Sequence, residues 1–129
     1  MPVIALTLIN SGHNFLRDCA TGADSWTNIY FGVGNNSSAT VSTQTTLGNE
    51  QFRKKITSVA NGASVGEALI NCFLSDSDAV GLDIEEIAIF AGTTAKSSSN
   101  TGKMLGRALW SHNPKTNAES LQLQLDFTQ

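Results

Sequence analysis

From Leu121 to Phe127 every second side chain is apolar: Leu121, Leu123, Leu125 and Phe127 alternate with Gln122, Gln124 and Asp126. Only an extended strand with one buried face and one wetted face gathers such a set on one side. The same period runs through Ile29, Phe31 and Val33, predicting a strand over 26–33 that closes on Gly32-Val33-Gly34. It recurs in Ala68, Ile70, Cys72 and Leu74, where Leu69 and Phe73 make the second face partly apolar, as in a sandwich interior or a subunit contact. A further run is out of phase with itself. Leu82 and Ile84 occupy even positions while Ile87 and Ile89 occupy odd ones. A regular strand would send the two halves to opposite faces, so the pattern predicts a β-bulge at Glu85-Glu86. One more strand is expected over Lys103–Ser111, after the Ser-rich stretch 93–101 and before the turn His112-Asn113-Pro114-Lys115.

One helix fits between these runs. Asn10-Ser11-Gly12 offers an N-cap, Phe15, Leu16 and Cys19 fall on one helical face, and Gly22 is the natural stop. Residues 47–59, with Leu47, Phe52, Ile56 and Val59, read as a helical turn running into a strand. Residues 1–9 read either as a first strand or as an N-terminal arm. Ser, Thr, Asn and Gly account for 49 of the 129 residues, and these types favour turns over helix interiors. The expected fold is therefore mainly β: one domain over residues 1–129, an antiparallel β-sandwich or jelly-roll-like barrel with one short helix near the N-terminus. The absence of crossover helices argues against a parallel, doubly wound sheet.

The balance of 8 basic against 11 acidic side chains gives a net charge of −3. Without a basic block such a chain has little with which to neutralise phosphates, so neither nucleic acid nor an anionic membrane is an expected partner. The apolar start, Met1 to Ile9, lacks a preceding positive charge and falls short of the roughly 20 residues that span a bilayer, so neither export nor anchoring is expected. Cys19 and Cys72 read as small buried hydrophobes.

Catalytic and cofactor chemistry is not legible. His13 and His112 lack metal-ligand spacing, and no metal or cofactor site is expected. Glu85 and Glu86 are adjacent in a strand and so point to opposite faces, which suits one solvated carboxylate and one in a structural ion pair. Gly32-Val33-Gly34 lacks the third glycine and the lysine of a phosphate loop. The run Arg53-Lys54-Lys55 is expected to face solvent or an acidic neighbouring subunit. Arg107 is the informative charge, because it stands in the otherwise apolar Met104–Trp110. Buried unpaired, it would cost several kcal/mol, so it needs a partner. Glu50, Glu85 and Glu86 are the candidates, within the chain or across a subunit boundary, and Arg53 is a further ion-pair candidate.

Four blocks, in this order and spacing, resemble a family of small structural proteins of tailed bacteriophages. They are the aromatic strand ending Gly32-Val33-Gly34, then Leu47-Gly48-Asn49-Glu50 with Arg53-Lys54, then Ile84–Phe90, then Leu105–Ser111 followed by Lys115 to Leu121. The chain departs from the family pattern at Ala88 and Gly106, where glycine and alanine respectively are more usual. The resemblance implies a β-rich, trimeric, non-enzymatic protein of the virion, assembled after synthesis in the host cytoplasm. Members serve as head-decoration, minor structural or tail-fibre proteins. The expected role is a capsid decoration (cement) protein that binds the major capsid protein on the shell's exterior; the alternative is a tail-fibre or baseplate component that contacts a host receptor. A fibre usually carries a shaft, and none is visible, which favours the decoration reading. Val3, Ile4, Leu6 and Leu8 are then candidate arm or interface residues, able to add a strand to a neighbour's sheet edge. In a host-binding role, the loop Asn35 to Thr46 would supply the contact tips.

Overall fold

The computed structural model describes residues 3–128. Nine strands form two facing sheets. The first holds, in spatial order, β1 (Val3–Ala5), β9 (Leu121–Thr128), β6 (Glu67–Leu74) and β5 (Ser58–Asn61). The second holds β2 (Thr7–Leu8), β8 (Lys103–His112), β7 (Ile84–Ala91), β3 (Tyr30–Gly34) and β4 (Glu50–Lys55). The alternating apolar sets point at each other across the gap. Ile70, Cys72, Leu74, Leu123, Leu125 and Phe127 from one sheet meet Phe31, Val33, Ile84, Ile87, Ile89 and Leu105 from the other. Burying each such large side chain contributes about 1.5–3 kcal/mol, which makes this the main adhesive of the fold.

At both lateral edges the chain passes directly from one sheet to the other. β1 pairs with β9, and after Leu6, whose amide donates to the Asp126 carbonyl at 2.7 Å, β2 pairs with β8. On the far side β4 leads into β5 through Ile56 and Thr57, whose amides donate to Ile29 and Asn71. Bending a strand across each edge limits the row of unpaired backbone groups that a free edge would offer to another chain.

The bulge stands where the phase slip put it. The β7–β8 register shifts between Ile84 and Glu86, and Ile84, Ile87 and Ile89 all reach the inner core. Other expectations need correction. The helix α1 (Asn10–Thr21) ends at Gly22 in the left-handed conformation, φ 85°, but its N-cap is Ile9 and no side chain caps it. Of the expected apolar face, Phe15 is buried, whereas Leu16 and Cys19 are half-buried. The aromatic strand begins only at Tyr30, because Asn28 lies at φ 50° and breaks the extended path. Residues 47–59 hold no helical turn; β4 and the start of β5 occupy them, since pairing with β3 and β6 outweighs local preference. The sandwich is not wholly antiparallel, because β1 lies parallel to β9. Residues 3–8 are thus paired within the sandwich. Ile4 and Leu6 face the core, Leu8 is half-buried and Val3 is exposed; Met1 and Pro2 lie outside the described residues.

α1 seals the end of the sandwich where β7 finishes and β8 begins. Phe15 enters the core there and packs against Trp26, which in turn meets Phe127. Gly12 lets the helix touch the Leu105 backbone, since a Cβ at this position would overlap the Leu105 carbonyl oxygen. The opposite end is closed by residues 75–83 and 113–120, laced by Gly81 N–H to Lys115 C=O (2.7 Å) and Lys115 N–H to Leu82 C=O (2.9 Å).

Candidate functional site

Part of the outer face of the five-stranded sheet is also buried. Ala88, Phe90 and Met104 form a second small core there with Ile9 and Leu47, beneath the long segments 35–49 and 92–102. Both segments are rich in Ser, Thr and Asn and have few apolar groups with which to dock. Two buried arginine–glutamate pairs hold them instead.

The first pair is Glu86–Arg107, from β7 and β8, with Arg107 Nε donating to Glu86 Oε1 at 2.9 Å and the side chains 0% and 1% exposed. The carboxylate also accepts from the amides of Asn36 (3.2 Å), Gly48 (2.9 Å) and Asn49 (2.9 Å), which bracket the 35–49 segment. The guanidinium donates to the carbonyls of Ser38 (2.8 Å) and Asn36 (3.0 Å) and to the Thr40 hydroxyl (3.1 Å). One ion pair therefore fixes both ends of one segment.

The second pair is Glu50–Arg53 on β4, bidentate at 2.6 and 2.9 Å, with side chains 1% and 2% exposed. Arg53 lies with its guanidinium 4.0 Å from the centre of the Phe90 ring and donates to the carbonyls of Lys96 and Thr101. The Asn100 amide donates to Glu50. This pair clamps the 92–102 segment as the first clamps 35–49. Burying charge is costly, and each pair offsets that cost by satisfying nearly every donor and acceptor in a fixed geometry. The two glycines of Gly32-Val33-Gly34 make room: a Cβ on Gly32 would press on the Glu50 carboxylate, and one on Gly34 would overlap the Glu86 carboxylate and the Asn49 carbonyl.

Of the three acids named for Arg107, Glu86 is the partner and lies in the same chain. Glu50 instead serves Arg53, and Glu85, half-buried, accepts from the Asn113 amide. The expectation that Arg53 faces solvent is overturned, because Phe90 and the 92–102 backbone cover it. Lys54 bridges to Asp78 at 2.5 Å, and Lys55 sits 5.8 Å from the Tyr30 ring centre. His13 is exposed; His112 stacks on Trp110 and bonds Glu119 at 2.9 Å. Both cysteines are free. Burial pushes the Cys72 thiol up to about 12, which leaves it an inert hydrophobe.

Two anchoring charges had no sequence signal. Asp24 accepts from the amides of Ser25 and Thr93 and pairs with Lys103 at 2.8 Å; the Lys103 ammonium, aided by those amides, holds its carboxyl down at about 2. Lys115 is fully buried, and its ammonium donates to the carbonyls of Ser75 (2.9 Å) and Thr116 (2.8 Å), tying together the two end loops. A lysine beside Asn113-Pro114 reads as a solvated turn residue, and only the packing of a second loop onto it says otherwise.

Among the described residues no group of three or more His, Cys, Asp or Glu is placed to hold a metal ion, and no helix is long and apolar enough to cross a membrane. The fold and site define a two-sheet β-sandwich that displays two polar segments on internally clamped arginine–glutamate staples. Comparison with protein-family models, with curated proteins and with solved structures found no match for this chain.

Proposed function

We propose that this protein is a structural component of a tailed-bacteriophage virion, a decoration protein that binds the outer capsid surface as a homotrimer and stabilises the shell. The observation that carries the reading is spatial. The sequence blocks that resemble the phage family lie far apart in the chain, yet they supply Gly32 and Gly34, Gly48 to Arg53, Glu86 to Phe90, and Arg107, which together build the double staple. What the resemblance marks is therefore one physical unit, a rigid mount for the 35–49 and 92–102 segments.

A rigid mount suits a cement role. Segments already ordered lose little conformational entropy on docking, so modest contacts suffice, and several such contacts made at once dissociate far more slowly than one. Val41 on the first segment and Leu109 on β8, 53% and 49% exposed, offer apolar contact beside hydrogen-bonding Ser, Thr and Asn groups.

Quantitative gel densitometry of purified virions tests the location. A copy number that scales with the capsid lattice supports the decoration reading, and a few copies per particle, lost with the tail, refutes it. Sedimentation velocity at micromolar concentration, alone and on expanded capsids, tests the trimer; a monomer in both states would count against it.

A further inference from the structure

We infer that the outer face of the four-stranded sheet carries a binding trough for an uncharged saccharide. The trough has a volume of about 630 Å³ and lies across β5, β6 and β9, on the side of the molecule away from the two staples. That volume is within the range of sites that take small organic ligands.

Its chemistry selects the ligand. None of the side chains lining it is charged; the polar ones are hydroxyls and primary amides, chiefly Ser58, Asn71, Gln122 and Gln124, and Phe73 supplies ring surface. With no cation in the lining, phosphate, sulfate and uronate ligands have nothing to neutralise them, so nucleic acids and acidic polymers fit poorly. The amides would be left desolvated by a lipid chain or by an apolar partner surface. A polyhydroxylated neutral ligand matches, because each hydroxyl both donates and accepts, as each primary amide does.

The amides are also held in position. Ser58, Asn71 and Gln124 are direct cross-strand partners in register, as are Phe73 and Gln122. Asn71 donates to the Ser58 hydroxyl at 3.0 Å and accepts from Gln124 Nε2 at 3.0 Å. That chain fixes which way the Asn71 and Gln124 amides face and leaves the second Gln124 amide hydrogen and the solvent-facing Gln122 group free to bond a ligand in place of water. Side chains two apart on a strand stand about 6.5–7 Å apart, so Asn71 and Phe73 address neighbouring portions of an oligosaccharide. Phe73 is steadied from outside the trough by the Lys54 ammonium, 5.3 Å from its ring centre and neutralised by Asp78.

The inference does not depend on where the protein sits in a virion. Isothermal titration of the intact protein with maltohexaose, cellohexaose and chitohexaose tests it, with a hyaluronan hexasaccharide as the anionic control. At least one neutral oligomer is expected to bind in the micromolar to millimolar range, and Asn71→Ala with Gln124→Ala to weaken it roughly tenfold or more. A second variant, Gln122→Ala, alters a solvent-facing side chain and guards against loss through misfolding; unchanged melting and circular dichroism qualify both. Absence of binding by every neutral oligomer at about 10 mM overturns the proposal. So does equal binding by the folded variants, a preference for the anionic control, or self-association through this face that the same substitutions abolish.

Discussion

At the scale of single residues, stability is concentrated in charges that the fold has removed from water. Arg107→Ala leaves the Glu86 carboxylate buried with three amide donors but no counter-charge, and is expected to destabilise the protein by about 3–5 kcal/mol in urea unfolding. The double variant Arg107→Met, Glu86→Leu should recover part of that loss, because no charge is then stranded; a double variant as unstable as the sum of two singles would show that the pair's worth lies in the loop contacts alone. Asp24 gives a pH signature. Its carboxyl is depressed from the ordinary 3.8 to about 2, first by the Lys103 ammonium. A folded-state value below the unfolded one means the carboxylate's contribution is full above about 4 and is lost as pH falls towards 2. The urea midpoint should therefore drop across that window, and less steeply in Asp24→Asn. Identical slopes would show that Asp24 does not control acid sensitivity.

At the scale of elements, close backbone approach governs how α1 docks. By helix propensity alone Gly12→Ala should stabilise an exposed helix by about 1 kcal/mol. Here the added methyl group would overlap the Leu105 carbonyl oxygen, in a strand paired with both β2 and β7, although Leu105 itself stands at a bulge in the β7 pairing, so relief requires the helix or that bulge to shift. Overpacking of this kind typically costs about 1–3 kcal/mol, so the net change is expected to be destabilising, read as a lower melting temperature. Increased quenching of Trp26 fluorescence should accompany it, because Trp26 packs on Phe15 of the same helix. A rise in melting temperature would mean that the helix shifts at little cost.

At the scale of the whole molecule, the two staples tie irregular segments to the sheet beneath them through hydrogen bonds to buried charges. Hydrogen exchange should show slow amides at Asn36, Gly48 and Asn49, whose acceptor is the buried Glu86 carboxylate. Exposed neighbours such as Ser37 and Thr43 should exchange fast. In Arg107→Ala the protected three should speed up well before the core of β7 does, a local opening rather than global unfolding. Uniform acceleration across the chain would contradict a separate, clamped unit. Such local protection is what the capsid-binding proposal requires of the 35–49 and 92–102 segments.

The sequence by itself determined the strands whose side chains alternate, β6 and β9, and the bulge in β7, because strand periodicity is a local property that one stretch of chain displays unaided. It also required a partner for Arg107, since an apolar strand cannot bury a lone charge. Which acid answers was decided only in three dimensions, because Glu50, Glu85 and Glu86 differ in which face and loop each meets, not in composition. The split of residues 47–59 into two paired strands, the burial of Arg53 and Lys115, and the covering of the second sheet by polar loops were likewise tertiary outcomes. Each depends on segments distant in the chain arriving at one place, and no local pattern of residues encodes that arrival.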